Sequence, residues 1–217
     1  MLKGVIFDMD GVLINSHPIH KRAWRKFFDS LGLQVSDSEL DFVLDGRKKE
    51  DIIRHFLGEL PDSEIRKFGR QKEMLFREEA LSIEPVEGAL ELLEELTKAE
   101  IPFAIASCGS KSRVHYILRQ LKIHDRFGAI VTADDVQFGK PDPDIFKRAA
   151  AQLGSACDDL LVCEDAVSGV KAAKAAGIKC LGIADHARAD ELLEAGAEHV
   201  IANFASTSLP QLKQLFS

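Results

Sequence analysis

The chain has 217 residues, 46% apolar and 29% charged, and its 28 Lys and Arg against 35 Asp and Glu give a formal charge of −7. Such a composition suits a globular chain with a sizeable core and excludes a fibre, a disordered chain and a disulfide scaffold. The acidic balance argues against nonspecific nucleic-acid binding, which needs a basic face, and Cys108, Cys157, Cys163 and Cys180 form no CxxC or metal-finger spacing, so reduced thiols in a cytoplasmic setting are expected.

The first apolar run predicts a strand over residues 4–8, and Asp8 and Asp10 break it too early for a signal-peptide core. No later run approaches the roughly 18 residues of a membrane span, so no membrane partner is expected. Residues 16–80 then show helical spacing and helix starters, Ser36 with Glu39 as a capping box and Pro61 followed by Asp62, Ser63 and Glu64, with no convincing strand. This stretch holds 13 basic and 13 acidic residues, so the whole −7 lies outside it. His20, Lys21, Arg22, Arg25 and Lys26 crowd its first helix, and Arg47, Lys48 and Lys49 share one turn. They read as solvated faces or as cations brought toward an acidic site. Trp24, Phe27, Phe28 and Leu31 are expected to form its core rather than to stack on a substrate.

The rest alternates short apolar runs with amphipathic stretches. Strands are expected at 103–107, 129–132, 160–164, 180–184 and 199–202, with helices near 87–99, 110–121, 142–153, 167–176 and 187–195. This pattern predicts an α/β fold, a doubly wound parallel sheet (residues 1–15 and 82–217), with an inserted all-α cap over 16–81 that opens about hinges at 15–17 and 81–85.

Ligands of such sheets sit at the carboxyl ends of the strands. There the chain places Asp8 and Asp10, then Ser107 with Cys108, then Glu164 with Asp165, and Lys140 ahead of a helix. Each alone is an ordinary cap or turn residue. Together, four carboxylates in one small volume call for a hard divalent cation, and oxygen donors without a His or Cys cluster point to Mg²⁺. A cation, a lysine, a hydroxyl and loop amides describe a receptacle for a phosphoryl group. Two carboxylates two residues apart permit one to attack phosphorus while the other manages the leaving-group proton. Asp8 is the expected nucleophile. Asp10 is the expected acid/base, its pKa raised from about 3.9 by neighbouring negative charge or by cap closure.

The segments Asp8-Met9-Asp10-Gly11-Val12-Leu13, Ser107, Gly139-Lys140-Pro141-Asp142-Pro143 and Glu164-Asp165-Ala166-Val167-Ser168-Gly169-Val170 resemble, in order, the four motifs of the haloacid dehalogenase superfamily, in its phosphatase and β-phosphoglucomutase-like branch. The resemblance implies an aspartyl phosphate on Asp8, phosphate binding by Ser107, Cys108 and Lys140, and Mg²⁺ held by Asp8, the Asp10 backbone carbonyl, Asp165 and Glu164. It implies phosphate rather than halide chemistry, because dehalogenases lack the second Asp. His20-Lys21-Arg22-Ala23-Trp24 is similar to the mutase cap helix, where the His meets the acid/base, and Lys72, Arg47 and Lys49 are further cap candidates. Ser16-His17-Pro18 looks more like the phosphatase hinge, and Gly46-Arg47-Lys48-Lys49 lacks the mutase Ser-Arg pair; Lys49 cannot reproduce that bidentate fork. The expected function is therefore Mg²⁺-dependent hydrolysis of a small sugar or polyol phosphate by a monomer, with a phosphosugar mutase as the alternative. A receiver domain would carry its acceptor Asp on a later strand, and a noncatalytic binding module has no need of the full set.

Overall fold

The computed structural model describes residues 1–80 and 82–216. Leu81, which closes the expected cap and opens its second hinge, lies outside the described residues. Six strands, β1 (Gly4–Phe7), β2 (Phe103–Ala106), β3 (Ala129–Val131), β4 (Leu160–Glu164), β5 (Lys179–Ile183) and β6 (His199–Ile201), form one parallel sheet in the order β3-β2-β1-β4-β5-β6. Every residue of β1, β2 and β4 is buried, as continuous apolar runs require when helices cover both faces. In register, Val5 lies between Phe103 and Leu161.

Alternation along β1 divides the core. Val5 and Phe7 face a cluster built with α5 (Ala89–Lys98), α6 (Lys111–Gln120) and α10 (Leu209–Gln214). Ile6 faces the opposite cluster, with α7 (Asp144–Leu153), α8 (Val167–Ala175) and α9 (Ala189–Ala195). Helix α10 was absent from the expected elements; Ser208-Leu209-Pro210 is a start signal with proline in the first turn, but the segment offers only Leu209 and Leu212 as buried anchors.

Between β1 and α5 lie α1 (His17–Ser30), α2 (Asp37–Leu40), α3 (Lys49–Leu57) and α4 (Asp62–Glu79). They enclose their own apolar cluster of Trp24, Phe27, Phe28, Leu40, Ile52, Ile53 and Ile65. Ser36 and Glu39 form the expected capping box. The chain enters and leaves this layer side by side: Asn15 N–H donates to Glu84 O at 2.9 Å and Val86 N–H to Leu13 O at 3.0 Å. A second contact straps the layer to the sheet. Lys48 Nζ donates to Val136 O at 2.8 Å, Ser168 N–H donates to Asp45 Oδ1 at 3.2 Å, and Ser168 Oγ donates to Asp45 O.

Strand order reverses between β1 and β4, so a crevice opens beyond their carboxyl ends. Five strands end one residue before the expected limit, which leaves Asp8, Ser107, Thr132, Ala184 and Ala202 as the first residues past them. Asp8 and Ser107 keep their N–H bonds to the neighbouring strands, to Cys163 O and Val131 O, while Asp8 borders the crevice.

Candidate active site

Asp8 follows β1, and its N–H is still held by Cys163 O at 3.0 Å. Lys140 Nζ donates to Asp8 Oδ1, to Glu164 Oε1 at 2.5 Å and to Ala106 O at 3.2 Å. All three ammonium hydrogens are thereby used by residues at the ends of β1, β2 and β4. Lys140 is 1% exposed. Burial opposes its charge, but Asp8 and Glu164 hold its pKa well above the ordinary lysine value. Burial pushes Asp8 up to about 7 against the pull of Lys140, with Glu164 and Asp10 adding to the rise.

Glu164 spends both oxygens inside the protein, since Oε2 accepts from the N–H groups of Asp165 at 2.8 Å and Ala166 at 2.9 Å. It therefore orients Lys140 and the turn into α8 rather than presenting a vacant oxygen. A Cβ at Gly169 would overlap the Glu164 carboxylate, so only glycine lets that side chain lie across the first turn of α8. Asp165 differs. Its Oδ2 is buried and pairs with His17 Nε2 at 2.8 Å, its one near partner among the described residues. Burial raises the Asp165 pKa, the charge of Asp8 adds to the rise, and His17 opposes it. Gly11, at φ +78°, permits this approach, because a Cβ there would overlap both Asp165 Oδ2 and His17 Nε2.

These observations fit Mg²⁺. Asp8 and Asp165 are buried hard-oxygen donors whose charges oppose one another. Among the described residues no three His, Cys, Asp or Glu side chains gather as a metal cage, so the expected set of four carboxylates around one cation is not assembled: Asp10 is turned to Arg113 and Glu164 to Lys140, which leaves Asp8 and Asp165 as the one or two carboxylates such a cation takes.

Asp10 corrects the sequence expectation. Its carboxylate accepts from Ser16 Oγ at 2.6 Å and from both Arg113 nitrogens, Nη1 to Oδ1 at 2.9 Å and Nη2 to Oδ2 at 2.7 Å. Burial works against its charge, but Arg113 and then His20 hold its pKa well below the ordinary carboxylate value instead of raising it. His20 Nε2 stands 3.2 Å from Asp10 Oδ1 and its Nδ1 stands 3.0 Å from Lys72 Nζ. Arg113 Nη1 also stands 3.0 Å from His20 Nε2, so that nitrogen meets a donor as well as the carboxylate, while Nδ1 accepts from the Lys72 ammonium and the ring is neutral. Burial and the nearby Lys72 charge accordingly push His20 down to about 3, and burial and Arg113 push Lys72 down to about 7.

The crevice between the sheet and α1–α4 has Asp8, Asp10 and Asp165 at its floor. His20, Arg47, Lys49 and Lys72 all border it from the cap side, and Cys108 and Gly109 from the loop after β2. Ser107 is 1% exposed and accepts from Gly109 N–H at 3.1 Å, fixing that loop. The other cations of α1 do not reach it: Lys21 pairs with Asp41, Arg22 and Lys26 with Glu79, and Arg25 with Asp37. Trp24, Phe27 and Phe28 are the cap core, as expected, with Trp24 also bordering the crevice. Arg113, in the first turn of α6, and Glu73, on α4, went unread in the sequence because neither belongs to a recognisable spacing.

Residues 5–183 match the family model of haloacid dehalogenase-like hydrolases. The chain is 35% identical over 190 residues to hexitol phosphatase A of Escherichia coli K12, covering 87% of this chain and 85% of that one. It is 31% identical over 191 residues to β-phosphoglucomutase of Bacillus subtilis 168, covering 84% and 83%. A HAD hydrolase of family IA, variant 3, from Entamoeba histolytica superposes with a TM-score of 0.89 at 30% identity over 99% of both chains. With a parallel sheet, a helical insertion and an acidic crevice at its switch point, the chain belongs to the haloacid dehalogenase-like hydrolases, in the branch that holds phosphatases and β-phosphoglucomutases.

Proposed function

We propose that this enzyme, a HAD-like phosphatase, hydrolyses a small phosphorylated sugar or polyol with Mg²⁺ through an aspartyl phosphate on Asp8. The observation that carries the reading is the Lys140 hub, which binds Asp8 and Glu164 in one buried array beside the buried carboxylate of Asp165, itself paired with His17. Hexitol phosphatase and β-phosphoglucomutase, by their names, act on phosphorylated polyols and sugars. The crevice presents Arg47, Lys49 and Lys72 to the anionic and hydroxyl groups of such a ligand.

Asp8 and Asp165 would hold the cation through their carboxylates, and Asp10 through its main-chain carbonyl, with Glu164 supporting them through Lys140. When bound, Mg²⁺ neutralises charge on the transferring phosphoryl group. An oxygen of Asp8 attacks phosphorus, the bond from phosphorus to the alcohol oxygen breaks, and Asp10 gives that oxygen its proton. Water then attacks the aspartyl phosphate, Asp10 takes the water proton, and the bond to Asp8 breaks to release phosphate. As Asp8 takes the phosphoryl group, Lys140 turns the hydrogen it gave Asp8 to a phosphoryl oxygen, and the loop held by Ser107 and bordered by Cys108 closes on the others.

The test supplies Mg²⁺ and a panel of sugar and polyol phosphates, including β-glucose 1-phosphate with a trace of β-glucose 1,6-bisphosphate, and scores free phosphate and glucose 6-phosphate. Free phosphate from at least one ester, lost in Asp8→Asn, is expected. Glucose 6-phosphate without free phosphate would replace hydrolysis by the phosphosugar mutase reading.

A further inference from the structure

The groups on Asp10 crowd one oxygen: Ser16 at 2.6 Å, Arg113 Nη1 at 2.9 Å and His20 Nε2 at 3.2 Å all meet Oδ1, whereas Oδ2 meets Arg113 Nη2 alone. Arginine donates and never accepts, so this bidentate fork favours the charged carboxylate and disfavours a proton on it while the fork holds. A group held this way is oriented and a poor proton donor. For Asp10 to protonate a departing alcohol the hold of Arg113 must loosen.

Arg113 is 5% exposed, and a buried cation left without its carboxylate is strongly disfavoured. A second carboxylate stands ready. Glu73 Oε1, on cap helix α4, is buried without a hydrogen bond and lies 3.8 Å from Arg113 Nε. That spacing is too long for a hydrogen bond and short enough that a small shift of the guanidinium would make one. The ring of Phe76, one turn along α4, lies 4.9 Å from the Arg113 guanidinium carbon and offers a flat surface along which the group can shift. Gly109 leaves the room, since a Cβ there would overlap the guanidinium.

We propose that Arg113 is a positioning residue shared by two carboxylates: it parks Asp10 in the arrangement described here and passes to Glu73 of the cap when Asp10 turns to the leaving group. The inference rests on the reading of Asp10 as acid/base. It explains why a buried carboxylate oxygen of the cap goes without a partner. It also makes release of the acid depend on the seating of α4, because Arg113 and Asp10 are carried by the sheet layer and Glu73 by the cap.

The test compares leaving groups in a single turnover with Mg²⁺ present. A sugar phosphate that the enzyme turns over needs a proton on its departing alcohol, whereas p-nitrophenyl phosphate does not. Glu73→Gln is expected to slow first-turnover release of the sugar about tenfold, a fraction of what general acid catalysis supplies, and to leave the p-nitrophenol burst within about twofold. Adding Arg113→Met to Glu73→Gln is expected to restore sugar release, because no cation then retains Asp10. Equal slowing of both substrates, no slowing of either, or a double variant no faster than Glu73→Gln would overturn the proposal. Should Glu73→Gln fail to fold, Glu73→Asp, which keeps the charge and shortens the reach, is expected to show the same split more weakly, and absence of a split there would overturn the proposal equally. Asp10→Asn, run alongside, separates the two readings: a leaving-group split there with none in the Glu73 variants overturns only the sharing of Arg113, while no split in Asp10→Asn removes the acid role itself.

Discussion

At the scale of the residue, charge in the site is arranged around buried cations with several acceptors each. Lys140 divides its three hydrogens among Asp8, Glu164 and a main-chain carbonyl, which fixes the proposed nucleophile without a neighbouring loop having to move. Lys72 is the converse case, a cation 3% exposed that hydrogen-bonds the neutral ring of His20. Its folded pKa, about 7, lies below its unfolded value, so the unfolded chain binds more protons between the two and stability rises with pH across that window. The cost of burying charged Lys72 is fully present below about pH 7 and fades above it. Lys72→Met is therefore expected to raise the unfolding free energy more at pH 6 than at pH 9, read by urea denaturation at both; an equal gain would mean that Lys72 does not change protonation on unfolding in this range. Asp8, Asp10, Ser107, Cys108, Lys140, Glu164 and Asp165 were legible in the sequence because each follows an apolar strand or opens a helix with a marked turn. The partners of Asp10 were not. Arg113 and Glu73 sit on helix faces where any long side chain is tolerated, and only the meeting of α4 with α6 gives them a role.

At the scale of the element, six strands could be placed from their apolar runs because a buried parallel sheet permits little else there. Five of their ends fall one residue earlier than expected, since Asp8 and Ser107 still donate their N–H to a neighbouring strand and continue the run of the chain beyond it. The short α10 lacked enough apolar residues to show a period. The strap between the loop before α3 and the sheet was invisible for a different reason: Lys48 reaches main-chain carbonyls of Val136 and Gln137, which carry no side-chain signature. Losing such a charged hydrogen bond costs about 1.5 kcal/mol, or roughly tenfold in an equilibrium. Lys48→Ala is accordingly expected to raise KM for the sugar phosphate by up to about tenfold while the melting temperature changes little; an unchanged KM would show that the strap does not contribute to cap closure.

At the scale of the whole molecule, the sheet layer and the cap each enclose an apolar cluster of their own, and the chain crosses between them at two adjacent, hydrogen-bonded points. The fold thus supplies a floor of carboxylates and a cationic roof, joined at a seam where Ile19, Ala23 and Phe76 of the cap pack into the sheet-side cluster. Trp24 is 1% exposed within the cap cluster, and its truncation should cost about 3–5 kcal/mol. Trp24→Ala is expected to melt the cap ahead of the sheet layer, giving two transitions in circular dichroism; a single cooperative transition at lower temperature would mean that the two layers unfold as one.

The central claim is that Asp8 becomes covalently phosphorylated. The most direct measurement acid-quenches Asp10→Asn after mixing with Mg²⁺ and p-nitrophenyl phosphate, a substrate that needs no proton on its leaving group, and maps the protein-bound phosphate by mass spectrometry. The account predicts one phosphoryl group on Asp8, formed in the burst and slow to hydrolyse because the water lacks its base. A burst of p-nitrophenol with no phosphate on Asp8, or with phosphate on another residue, would contradict it.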